Sequence, residues 1–120
     1  MRYLPALESL ADTLNAAGIR VALNWADLNA PAVWITPGNV DEIMLDGSAL
    51  ATAHVALIAP ALPESHALAI IDDLTAAVIP ALQSAGYPIV AADVVAVGGS
   101  TAGGPPLPAL RLTTEIHLGE

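Results

Sequence analysis

The stretch "LRLTTEIHL", Leu110 to Leu118, alternates with a period of two. Leu110, Leu112, Ile116 and Leu118 share one face, while Arg111, Thr113, Glu115 and His117 share the other. A helix would mix these two sets, so the stretch reads as a half-buried strand, entered through the proline-stiffened "PPLPA". Such a strand needs neighbours for its backbone groups and a covering layer for its apolar face. The rest of the chain has to supply both.

Two helices are legible. In "YLPALESLADTLNAAG", Pro5 suits the first turn, Leu7, Leu10, Ala11 and Leu14 form an apolar stripe, and Gly18 supplies the stop. The second and longer helix starts at Pro63, Glu64 and Ser65 and ends at Gly86. Its stripe is Ala67, Leu68, Ile71, Leu74, Val78 and Leu82, and Pro80 inside it removes one backbone hydrogen bond.

Strands fill the remainder. "IRVALN" points Ile19, Val21 and Leu23 inward, and "WADLNAP" with Trp25 is a turn-rich link. "AVWITP" is apolar on both faces, which predicts a strand covered on both sides or lying at an interface, closed by Pro37 and Gly38. "NVDEIMLDGSAL" reads as a further strand ending at the Asp46–Gly47 turn, a hairpin signal, and "LATAHVALIAP" as its longer successor, closed by Pro60. "IVAADVVAV" is another strand, with Asp93 its one charge, and the "GGSTAGGPP" after it is a connector. Helices are few and strands come in runs. The expected class is α+β, a mainly antiparallel sheet with two helices packed on one face, as one domain over residues 1–120.

Composition then bounds function. Apolar residues make up 55% of the chain, yet Phe is absent and aromatics reach only 3%, so Ala, Val, Leu and Ile must build the core. Small side chains bury little area each, which implies modest stability for a lone copy and makes self-association one remedy. The net charge is −9, and Arg2, Arg20 and Arg111 are the cationic side chains. Three scattered Arg cannot supply the clustered phosphate contacts of a nucleic-acid binder, nor grip an anionic membrane. An acidic surface suits a protein that stays soluble, or one that lets DNA pass without holding it. "HALAIIDDLTAAVIPAL" comes nearest to a membrane span, and Asp72 and Asp73 interrupt it.

No chemical motif emerges. His54, His66 and His117 lack metal-ligand spacing, and His54, mid-strand among small residues, reads as a hydrogen-bonded, partly buried histidine. Asp72 and Asp73 are adjacent and point about 100° apart on a helix, so they cannot share a proton. Asp41, Glu42 and Asp46 gather around a turn without the ligand spacing of an EF-hand, and read as a solvated acidic loop. "GGSTAGG" lacks the Walker lysine and precedes a strand, not a helix. The expectation is no enzyme, no metal and no cofactor.

The layout as a whole resembles the tail terminator (tail completion) proteins of long-tailed phages, especially those of high-GC actinobacterial hosts. The resemblance rests on the opening helix, "IRVALN", "PAVWITPG", "TAHVALIAP", the helix "ALAIIDDLTAAVIPALQSAGY" and the last strand introduced by "LPALRLTTEIHL". It is one of order and length over nearly the whole chain, not of a signature motif. It implies a virion protein at the neck end of the tail, assembled in the host cytoplasm. A hexameric ring would cap the tail tube, end its polymerisation and join it to the head, with the tail tube protein and a head-completion protein as partners. DNA would pass through the ring unbound, and no membrane is involved. Interface candidates are Trp34, the acids Asp41, Glu42 and Asp46, the loop residues Ser100 and Thr101, and Arg111, Glu115 and His117 on the last strand. The alternatives are another head–tail connector, or a small dimeric ligand-binding α+β domain.

Overall fold

A computed structural model describes residues 2–24, 31–60, 64–97 and 107–119. The elements run α1 (Tyr3–Ala16), β1 (Val21–Ala22), β2 (Ala32–Ile43), β3 (Ala49–Ile58), α2 (Glu64–Ser84), β4 (Ile89–Val97) and β5 (Leu107–Leu118). The expected α+β class is what the chain adopts. Trp25, the helix-starting Pro63 and the glycine-rich stretch with Ser100 and Thr101 lie outside the described residues.

Both helices end by the same device. Gly18 and Gly86 adopt φ of +84° and +83°, which side-chain-bearing residues rarely reach. Ile19 N–H then donates to the Leu14 carbonyl and Tyr87 N–H to the Leu82 carbonyl, closing the last turn back onto the helix. The α1 stripe is as expected, with Leu7, Leu10, Ala11 and Leu14 buried. In α2, Ala67, Ile71, Val78 and Leu82 are buried, but Leu68 is 50% exposed and drops out of the stripe. Ala67, Ile71, Val78 and Leu82 share one side of the helix, and Leu68, one residue on from Ala67 and about 100° round the axis, falls past the edge of the strip the sheet can cover.

The sheet order is β1-β2-β3-β5-β4. Every pairing is antiparallel except β1 with β2. The closing strand is therefore interior, bonded to β3 on one side and to β4 on the other. Its inward face packs Leu112, Ile116 and Leu118 against the helices, together with Thr114, whose hydroxyl donates to the Pro88 carbonyl at 2.7 Å. Burying a Leu fully stabilises by about 1.5–3 kcal/mol, so this strand and the Leu10, Leu14, Leu57 and Leu82 it shares a core with anchor the domain.

β2 departs from expectation. Pro37 and Gly38 do not end it; "AVWITP" and "NVDEI" form one twelve-residue strand, with register shifts between Pro37 and Val40 and between Val40 and Glu42. The shifts absorb the missing proline N–H without breaking the pairing with β3, as bulges do on an edge. The hairpin at Asp46–Gly47 forms as expected. Asp46 Oδ1 accepts from Ser48 N–H at 2.9 Å and from the Ser48 hydroxyl at 2.6 Å, and Met44 N–H donates to the Ser48 carbonyl.

α2 is long and apolar enough, by length and composition, to cross a bilayer over Ser65–Ser84. In the fold its inner stripe lies on the sheet instead.

Candidate functional surface

Strand alternation places the helices on one face of the sheet and leaves a second face without them. Registered partners share a face, so each row across the second face can be read directly. One row is Trp34, Ala56, Arg111 and Asp93; the next is Thr36, His54, Thr113 and Ala91. Towards the strand ends at Ala32, Ile58 and Leu107 the face turns apolar. Ala56, Ile58 and Ala109 are buried there, with Trp34, Val95 and Leu107 packed against them. This second cluster explains why "AVWITP" is apolar on both faces: Val33 and Ile35 enter the main core and Trp34 the smaller one.

Polar groups occupy the middle. Arg111 Nη2 sits 2.6 Å from Asp93 Oδ2, each side chain partly exposed. His54 Nδ1 lies 3.2 Å from Thr113 Oγ1, so the expectation of a partly buried, hydrogen-bonded histidine is met. Burial holds the His54 pKa below the usual histidine value, the Arg111 cation lowers it further, and Asp93 partly offsets this. The imidazole is consequently held neutral more firmly than a free one. Further along β5, Glu115 and His117 are exposed on the same face.

The structure brings four of the interface candidates, Trp34, Arg111, Glu115 and His117, onto this one face. Asp41 and Glu42 are elsewhere than expected. They belong to β2 itself, not to a loop, and only Asp46 sits in the turn, where the two Ser48 hydrogen bonds hold its carboxyl below the usual carboxylate range. All three are exposed. Ser100 and Thr101 lie outside the described residues.

No group of three His, Asp or Glu side chains converges in a metal-binding arrangement among the described residues. His66, Asp72 and Asp73 are exposed on α2. Beside β1, a hollow of about 380 Å³ is edged by Glu8, Asp12, Asn15 and Arg20. All four are exposed, so nothing there withholds a charged group from water.

No protein-family model matches this chain, and no curated protein matches its sequence. Sequence reasoning missed the Arg111–Asp93 pair because its members lie eighteen residues apart and only the β4–β5 register brings them together. Asp93 as the lone charge in an apolar strand was the available signal, since a charge there calls for a partner. The half-buried Tyr3, whose hydroxyl donates to the Thr52 carbonyl at 2.5 Å, carried no signal at all.

Proposed function

We propose that the chain is a structural ring subunit, a tail-terminator-like protein of a long-tailed phage. Copies assemble into a ring, a hexamer in this reading, that caps the tail tube, ends its polymerisation and joins it to the head while DNA passes through. The single observation that carries the reading is the sheet's helix-free face. A domain with helices on one side only presents exposed Glu115 and His117 and the partly exposed Arg111 on the other, beside the apolar cluster of Trp34, side chains suited to a neighbouring protein rather than a small molecule. The element order, which is that of the resemblance, and the net charge of −9, which would keep a lumen from gripping DNA, support it further.

The test uses the purified chain and a tail tube protein of a long-tailed phage. Electron microscopy of growing tubes should show a ring at one end and arrested growth when the chain is added. Tubes that lengthen unchanged, with no density at their ends, would defeat the proposal.

A further inference from the structure

Asp46 is the one Asp or Asn of this chain that is followed by Gly. That dipeptide has a chemistry of its own. The Gly amide nitrogen, with no side chain to hinder it, attacks the Asp side-chain carbon Cγ and closes a five-membered succinimide. The nitrogen gives up its proton and the carboxyl its hydroxyl, so a water leaves. A water then adds back at either carbonyl carbon. Breaking the bond from nitrogen to Cγ restores aspartate. Breaking the bond to the original backbone carbonyl leaves isoaspartate, with the chain running through Cβ and Cγ. No oxidant, metal or second substrate is required.

The turn between β2 and β3 engages both reacting groups. Gly47, at φ +88°, donates its N–H to the Met44 carbonyl at 3.1 Å, so the nucleophile is already committed to another acceptor. Asp46 Oδ1 accepts from the Ser48 N–H at 2.9 Å and from the Ser48 hydroxyl at 2.6 Å, which restrains the electrophile against rotation. Those two bonds also favour the ionised carboxyl and hold its pKa below the usual range, and a carboxylate resists nucleophilic attack. Met44 N–H donates to the Ser48 carbonyl at 2.8 Å and closes the turn. Packing adds little. Leu45 is fully exposed and Ile43 65% exposed, so hydrogen bonds are what resist opening here.

We infer that Asp46–Gly47 is where this chain rearranges to isoaspartate as it ages, and that the intact β2–β3 turn is the latch that delays the reaction. The rearrangement proceeds through molecules whose turn has opened, at a rate set by how often it opens. Once made, the change holds the latch open. The carboxyl group that Ser48 bonds becomes the backbone amide, and an extra carbon enters the chain between Leu45 and Gly47, so the turn cannot re-form as it stood. The core is spared, because the nearest buried residue beyond the turn is Ala49. The inference concerns the hairpin alone and is independent of the ring reading.

The test ages the full chain side by side in native buffer and in guanidinium chloride, at one pH and one temperature. A protease that cleaves before aspartate but not before isoaspartate, followed by mass spectrometry, reads the conversion at each Asp. In the unfolded chain Asp46 should convert about tenfold faster than any other Asp, because Gly leaves its nitrogen unhindered. In the folded chain Asp46 should convert at least about tenfold more slowly than in the unfolded one, because several hydrogen bonds must open together. Ser48→Ala, folded by circular dichroism, removes the hydroxyl donor and should narrow that gap by about threefold or more. Equal rates in the folded and unfolded chain overturn the latch, and so does a gap that Ser48→Ala leaves unchanged. Isoaspartate that forms as readily at another aspartate of the unfolded chain overturns the assignment of the site.

Discussion

Arg111 meets Asp93 directly across the β4–β5 ladder, its Nη2 2.6 Å from the carboxylate. With side chains 39% and 47% exposed, the pair contributes at most about 1 kcal/mol to stability. It also acts on His54 in the neighbouring row, which feels the cation and the carboxylate with opposite signs.

Asp93→Asn should lower the His54 pKa further, since burial and the Arg111 cation remain while the offsetting carboxylate is gone. Arg111→Gln should raise it. NMR titration of the His54 ring resonances reads both shifts, and a rise in Asp93→Asn would contradict the electrostatics.

The same histidine makes stability depend on pH. Its folded pKa lies below the unfolded value of about 6.5. Above that value both states are neutral and the native state has its full stability. As pH falls from there through the folded pKa, the unfolded chain takes up a proton first, so stability declines. Urea unfolding across this window should show the decline in the wild type and a flatter profile in His54→Gln.

Gly38→Ala should destabilise the fold by about 1–3 kcal/mol. A Cβ at this position would stand 2.9 Å from the Thr52 carbonyl oxygen, and closer still to Thr52 Oγ1. The hydroxyl can rotate, at the cost of its bond from Asn39 N–H, but the carbonyl already accepts from Tyr3 and cannot retreat. Thermal melts of Gly38→Ala beside Thr52→Ala separate the backbone clash from the lost hydrogen bond; an unchanged melting point in Gly38→Ala would refute the clash.

Two leucines of one helix should behave oppositely. Leu82 is fully buried, and Leu82→Ala should cost about 2–5 kcal/mol. Leu68 is half exposed, and Leu68→Ala should stay within about 0.5 kcal/mol in dilute protein. Denaturant unfolding of both variants checks the pair, and a large loss in Leu68→Ala would return it to the core stripe.

Tyr3→Phe should cost about 1 kcal/mol by removing the hydrogen bond to Thr52. In the wild type, burial raises the Tyr3 phenol above its ordinary pKa. Absorbance titration should therefore show one tyrosine ionising late, and that late phase should vanish in Tyr3→Phe.

Local periodicity was enough to reveal α1, α2, the Asp46–Gly47 hairpin, and the two faces of β5, because each depends on residues within a turn or a pleat of one another. The sequence alone therefore determined the α+β class and put Arg111, Thr113, Glu115 and His117 outside the core. Only the tertiary structure decided that β5 lies between β3 and β4, that β1 joins β2 in parallel, and that Pro37 bends a strand without ending it. It also decided that β4, a strand with Asp93 its one charge, stands at an edge with Val94 in the open. Those outcomes rest on register between segments far apart in the chain. Register is set by which pairing best buries the whole apolar face, a property no single segment carries.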